Sequence, residues 1–316
     1  MQKALITHGH ADHSRPGHKH YLCTHAAKPV IKHRLGAKAV IQSVGFNESV
    51  FINGVKFSFH PAGHIIGSAQ IRASYKGENW VASGDYKTED DGFCEAFEPV
   101  KCHAFITEST FAMPIYKWEP QTTIAEEINA WWRKNKAAGI TSLLGGYSLG
   151  KAQRLLQLLD PSIGKIYTHG AVENINEILR SQGLQLKDTI RMTEKLKRKE
   201  LDGSMVICPP GSLRTNFVNK FSQVSTAMGS GWMMSRKARK NRSVDRGFVL
   251  SDHADWNGLN ETIKATGAEK IFVTHGYTAS FTKYLNEQGI DAYEGKTAYE
   301  GDTLDVIIAG KTSEKT

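Results

Sequence analysis

The sequence predicts an α/β protein in which one mixed domain is interrupted by a second, smaller one built on a parallel sheet. Three observations carry this. Up to Thr107 the chain reads as short apolar strands joined by tight turns. From about Trp118 the pattern changes to alternating helix and strand, which favours parallel pairing with crossover helices. The first pattern then returns in Phe248-Val249-Leu250 and Ile271-Phe272-Val273-Thr274. At 316 residues the chain is long enough for one or two domains with a large core. It contains no internal repeat and no low-complexity tract.

Taken in order, Ala4-Leu5-Ile6-Thr7 reads as a short buried strand. A basic, histidine-rich stretch from Ser14 to His25 follows, with His18, His20 and His25 read as surface or supporting groups. Ala27 to Leu35 reads as a helix and Ala39–Gln42 as a strand. Val50-Phe51-Ile52 and Val55-Lys56-Phe57 flank Asn53-Gly54, whose residues tolerate the left-handed backbone of a type I′ hairpin. Strands Ala69-Ile71-Ala73 and Trp80–Ser83 come next, then Ala104–Thr107. In the middle segment Thr122 or Thr123 can cap a helix through Trp132. Strand Ile140–Leu144, helix Ser148–Leu159, strand Ile166–Thr168, helix Ala171–Gln182 and strand Met205–Cys208 complete the alternation. Pro209-Pro210-Gly211 stops the last of these.

Composition narrows the partners. The formal net charge is +8 and the pI about 9.2, a bias toward polyanions such as nucleic acid that is silent about fold. Cys23, Cys94, Cys102 and Cys208 are widely spaced, with no C-x-x-C pair. That suits a reducing cytoplasm and argues against a disulfide framework or a structural zinc knuckle. There is no signal peptide and no apolar run able to span a bilayer, so the expectation is a cytoplasmic protein with no membrane partner.

The chemistry is concentrated in His8-Gly9-His10-Ala11-Asp12-His13, directly after the first strand. Histidines two apart in extended chain project to one side, so one loop can offer two imidazoles to one metal and an Asp/His pair to a second. Imidazole with carboxylate suits zinc, with manganese, iron or nickel possible. A charged surface turn is the bland alternative; the aspartate set between histidines and the strand before them argue against it. Polar residues then recur at strand ends: Asp85, Glu108, His253 and His275. In layered α/β folds such ends converge at one sheet edge, where ligands bind.

These motifs, in this order, resemble those of metallo-β-lactamase-fold hydrolases, and within them the β-CASP nucleases. The chain is more narrowly similar to the bacterial DNA-ligase-associated exonucleases, also labelled mRNA 3′-end-processing-factor-like. The resemblance rests on His8-x-His10-x-Asp12-His13, Gly63-His64 with Gly67-Ser68, Gly84-Asp85, Glu108-Ser109-Thr110, His253-Ala254 and His275-Gly276. It implies an αββα metallo-β-lactamase sandwich formed by 1–117 and 248–316, with an inserted β-CASP α/β domain with a parallel sheet at 118–247. One departure stands out. The superfamily's first strands and an aspartate that orients the metal loop are absent, and the expectation is a start codon assigned too late.

The resemblance also implies roles. His8, His10 and His64 would hold one metal; Asp12, His13 and His275 the other; Asp85 would bridge. The expected cofactor is two Zn2+, with Mn2+ or another divalent transition metal possible. A metal-bridging hydroxide would attack the phosphodiester, and His253, oriented by Glu108, would protonate the leaving alkoxide. Arg236, Lys237, Arg239, Lys240 and Arg242 form a basic run expected to follow a nucleic-acid backbone, although such runs are commonly solvated loops. Gly145-Gly146-Tyr147-Ser148-Leu149-Gly150-Lys151-Ala152 mimics a phosphate-binding loop, but Ala152 replaces the residue that would hold magnesium. Lys151 is expected only to touch a substrate phosphate. The reading is thus an exonuclease acting on DNA in repair, in functional association with a DNA ligase and helicase. An RNA-processing ribonuclease is the alternative within the fold, and a small-ester or thioester hydrolase is disfavoured by the insert and basic run. A non-catalytic nucleic-acid-binding protein is the alternative from another class.

Overall fold

A computed structural model describes residues 2–235 and 244–295. The chain is mixed α/β and divides into two compact units, one made of the segments before Trp118 and after Ser251, the other of Trp118–Ser251. The sequence boundary at 247/248 falls four residues earlier. Phe248 and Leu250 pack in the core of the second unit with Trp131 and Leu155, which keeps them there. Among the described residues no helix is long and apolar enough to cross a membrane.

In the first unit, β1 (Lys3–Leu5), β2 (His20–Thr24) and β3 (Ile41–Val44) form a parallel sheet in that order, with α1 (Lys28–Leu35) between the second and third. The other strands of this unit are β4 (Ser49–Ile52), β5 (Val55–Pro61), β6 (Ala69–Tyr75), β7 (Glu78–Ala82) and β8 (Ala104–Ser109). They join two later strands in a seven-stranded sheet. Asn53 and Gly54 have φ of 50° and 82°, as the I′ hairpin requires, and pair Ile52 with Val55. Leu22 and Val44 from the small sheet pack with Phe59, Ala69 and Ile71 from the large one, so the two sheets share an apolar layer. β2 lies within the Ser14–His25 stretch, for which the sequence suggested no strand, while His20 and His25 are exposed, as read. Tyr21 to Thr24 are all buried, because a strand covered on both faces shows no polar/apolar alternation.

The second unit is built on a six-stranded sheet. α2 (Gln121–Ala137), β9 (Thr141–Gly145), α3 (Lys151–Leu158), β10 (Ile166–Thr168), α4 (Gly170–Ser181), β11 (Ile190–Arg191), α5 (Arg198–Leu201), β12 (Met205–Cys208), β13 (Val224–Gly229) and β14 (Arg246–Phe248) follow one another. The order across the sheet is β11-β10-β12-β9-β13-β14, parallel throughout. Ile128, Trp132, Leu144, Leu155 and Ile207 fill its core. β13, central beside β9, is invisible to periodicity because Ser225, Thr226 and Gly229 dilute its apolar content.

The chain then returns to the first unit with α6 (Trp256–Thr266), β15 (Lys270–Gly276), α7 (Thr278–Glu287) and β16 (Ala292–Glu294). β15 and β16 extend the large sheet to the order β16-β15-β8-β7-β6-β5-β4. α6 is capped by Asp255, whose side chain accepts from Gly258 N. Phe105, Leu259, Ile271 and Phe281 make the core that sets the ends of β8 and β15 beside each other.

Candidate active site

The first loop leaves β1 and turns back on itself. The amides of His13 and Ser14 donate to His10 O at 3.2 and 2.9 Å. The segment is therefore a turn, not the extended stretch assumed from the sequence, and it is the turn that gathers its rings. Arg34 Nε donates to Gly9 O at 2.8 Å and ties the loop to α1. His64 enters from the tight turn after β5, where Ser68 Oγ accepts from His64 N and Ile65 N at 3.0 and 3.2 Å. Gly67 in that turn has φ +74°, and a Cβ there would lie 2.3 Å from Ala27 N, so only glycine fits. Asp85 follows β7, and Glu108 lies near the end of β8.

These residues converge on one oxygen. Asp85 Oδ2 lies 3.4 Å from His8 Nε2, 3.5 Å from His13 Nε2 and 3.7 Å from His64 Nε2. His64 Nε2 is 3.0 Å from His10 Nδ1, and His13 Nε2 is 3.5 Å from Asp12 Oδ2. One ligand atom each from His8, His10, His64 and Asp85 falls within 4.8 Å of the others. The contacts to Asp85 are too long for charge-assisted hydrogen bonds. They match the roughly 3.4 Å that separates two donors each about 2.1 Å from a tetrahedral ion. His8 Nε2 is buried and has no hydrogen-bond partner, a costly state for a polar atom unless a cation takes the lone pair. The donor set thus fits a transition metal.

Protonation agrees. Burial, then the charge of His13, holds His8 well below the usual imidazole range, and burial with His253 does the same to His64. Burial alone would push the Asp85 carboxyl up, but His13, His8, His253 and His64 outweigh it and hold Asp85 well below the usual carboxylate range. His8 and His64 held neutral beside an ionised Asp85 are what a cation needs. His64 Nδ1 donates to Asp252 O at 2.7 Å, which leaves its Nε2 lone pair facing the cluster.

Beside this cluster stands a second group. His253 Nδ1 lies 2.9 and 2.8 Å from the two carboxylate oxygens of Glu108, which is 2% exposed. Glu108 Oε1 also accepts from Tyr86 N at 2.8 Å. Burial disfavours the imidazolium, but the charge and hydrogen bond of Glu108, then Asp85 and Asp252, raise His253 to about 9. Its ring lies 4.7 Å from that of His64 and 5.9 Å, edge to face, from that of Phe111. An acid with its charge held by a buried carboxylate therefore borders a metal-competent cluster.

No family profile matches the chain. It is similar to a probable DNA ligase of Opitutus terrae, 28% identical over 296 residues, which are 93% of this chain and 28% of that protein. It is also similar to endoribonuclease YSH1 of Saccharomyces cerevisiae, 30% identical over 122 residues, 38% of this chain and 15% of that one. The chain thus spans under a third of either relative. In fold it is similar to a protein of unknown function from Enterococcus faecalis, with a TM-score of 0.61 at 11% identity, covering 95% of this chain and 80% of that one. The chain resembles the β-CASP nucleases of the metallo-β-lactamase fold.

Of the residues that this resemblance singles out, His8, His10, Asp12, His13, His64 and Asp85 stand together as described. His275 is the outlier of the set, exposed, its ring 6.2 Å from that of His13. It adopts φ 55° where the register between β8 and β15 shifts, and Ser109 Oγ donates to its carbonyl at 2.7 Å. A bulge of this kind re-aims a side chain, which no sequence period reveals. Lys151, read as touching a substrate phosphate, is 4% exposed, and its ammonium donates to Leu250 O at 2.8 Å within the second unit. Arg236, Lys237, Arg239, Lys240 and Arg242 lie outside the described residues. Sequence reasoning missed the carbonyl of Asp252 and the hydroxyl of Thr7, both set against imidazoles of the cluster. Only their contacts mark them.

Proposed function

We propose that the chain is a metal-dependent phosphodiesterase acting on nucleic acid, with the fold of an αββα metallo-β-lactamase sandwich carrying a β-CASP insert. The shared apolar layer between its two sheets and the parallel sheet of the second unit support that assignment. In this reading His8, His10 and His64 would hold one ion, Asp12, His13 and His275 a second, and Asp85 would serve both. Zinc is the expected metal, for its preference for imidazole with carboxylate. When bound, such ions act as Lewis acids that polarise the phosphoryl group and activate the attacking water.

The observation that carries the reading is the Glu108–His253 pair beside the ligand cluster. Expulsion of an alkoxide from a phosphodiester requires a proton, and a charged imidazole held by a buried carboxylate supplies one. A purely structural metal centre would need no such neighbour. Phe111 flanks the acid ring on one side.

DNA ends are the favoured substrate, in repair and in functional association with a ligase and helicase. The relative named as a ligase matches 93% of this chain at 28% identity, whereas endoribonuclease relatives match 38% at 30% identity or 79% at 19%. A second reading, a ribonuclease of the same fold, draws on that endoribonuclease relative. Incubating metal-loaded protein with end-labelled single- and double-stranded DNA and RNA separates them. Preferential release of nucleotides from DNA ends is expected; faster cleavage of RNA selects the second reading, and cleavage of neither removes both.

A further inference from the structure

Thr7 closes β1's path into the metal loop, and nothing in the proposed chemistry uses it. Its hydroxyl oxygen lies 3.2 Å from His8 Nδ1 and 3.5 Å from His13 Nδ1. The two rings lie against each other, centroids 4.1 Å apart and planes tilted by 37°. On their far side both Nε2 atoms face Asp85 Oδ2, at 3.4 and 3.5 Å. One hydroxyl therefore stands behind two rings whose front nitrogens point at one carboxylate.

A hydroxyl oxygen has two lone pairs and can accept two N–H donors. If both rings carry their proton on Nδ1, Thr7 accepts from both, and both Nε2 lone pairs are left for a cation. Protons on Nε2 would instead face Asp85 Oδ2 at 3.4 and 3.5 Å, no closer than the hydroxyl at 3.2 and 3.5 Å, and would leave the hydroxyl without either ring as a donor. The hydroxyl is also fixed in place. Thr7 O accepts from Ala69 N at 2.8 Å, and Gly84 packs so closely that a Cβ on it would lie 2.7 Å from Thr7 Cβ and 2.9 Å from the hydroxyl oxygen. Gly84 directly precedes Asp85, so the same packing sets both sides of the ring pair.

We infer that Thr7 is a positioning residue that sets the tautomer of His8 and His13 together, and so couples ligands of the two proposed ion sites through one hydroxyl. The inference rests on the metal-centre reading above for its consequence, not for its geometry. Removing the hydroxyl frees both rings at once, so both ions should be held less well, not one.

The test uses the full chain with Thr7→Val, which keeps the shape and removes the hydroxyl, and Thr7→Ser, which keeps the hydroxyl. In metal-free protein, imidazole nitrogen–proton correlation spectra should show His8 and His13 as Nδ1–H tautomers in the wild type and in Thr7→Ser. Both should become tautomer mixtures in Thr7→Val. In competition with a chromophoric zinc chelator, Thr7→Val should release both ions about 10- to 100-fold more readily, the usual effect of losing a ligand's hydrogen-bond partner. Thr7→Ser should stay within about threefold of the wild type. Unchanged tautomers in Thr7→Val, weakening confined to one ion, or a Thr7→Ser protein as impaired as Thr7→Val would overturn the inference. Wild-type protein that takes up no zinc would instead remove the metal-centre reading, while the spectra of the metal-free chain still decide the role of Thr7.

Discussion

Removing the charge of Glu108 should move the pH range in which the proposed phosphodiesterase works. In the structure Glu108 accepts from His253 Nδ1 through both oxygens and, against burial, is the main cause that raises the imidazole to about 9. At pH 8 an imidazole titrating near 9 is roughly nine-tenths protonated, whereas one near the ordinary 6.5 is only about 3% protonated, a difference of about 30-fold in available acid. The sign follows from the role: the acid works only when protonated, so activity is lost as pH rises through the folded value. Cations held at Asp85 in the proposed reading would oppose the charge on His253 and lower that value, but the Glu108 contribution would remain. Glu108→Gln should therefore cut turnover of an oligonucleotide by about tenfold at pH 8, less at pH 6, and shift the alkaline limb of the profile to lower pH. His253→Ala should keep its metals and its affinity for oligonucleotide. Its turnover on a natural phosphodiester should fall by about two to four orders of magnitude, with a far smaller loss on a nitrophenyl ester whose leaving group departs without a proton. Identical pH profiles for wild type and Glu108→Gln, equal losses on both substrates, or loss of metal from His253→Ala would refute the assignment of His253 as acid.

Three further outcomes are expected. Asp85→Ala should lower the content of both ions, read by elemental analysis, because its Oδ2 lies within 3.7 Å of nitrogens from His8, His13 and His64; full retention counts against a bridging role. Gly67→Ala should lower the stability of the first unit by about 3 kcal/mol or more in thermal or denaturant unfolding. The cause is a Cβ 2.3 Å from backbone at φ +74°; an unchanged midpoint means the turn is not held as described. Neutralising two of Arg236, Lys237, Arg239, Lys240 and Arg242 should weaken oligonucleotide binding for all sequences and reduce the salt slope by roughly one per lost phosphate contact. Hydrolysis of a small phosphodiester should barely change, and an unaltered slope makes the segment a solvated loop.

Local pattern determined much of the α/β character. The Asn53-Gly54 hairpin, the alternation after Trp118 and the polar residues at strand ends are written in short windows, because turn chemistry and ligand identity are properties of neighbours in sequence. The same holds for His8, His10, Asp12 and His13, which a single loop carries. Other features depend on residues far apart. β2 and β13 escape periodicity because their surroundings, not their own alternation, bury them. The carbonyl that Lys151 meets, that of Leu250, lies 99 residues further along the chain. Tertiary structure alone decided how the clustered residues meet: the turn that brings His10 to His64 and the pairing of β8 with β15, whose bulge leaves His275 exposed at its edge. Thr7 gives the plainest case. A threonine at a strand end is ordinary by composition and position. Its hydroxyl acquires a role only where Gly84, lacking a side chain, lets the backbone close behind it and turn both rings toward one carboxylate.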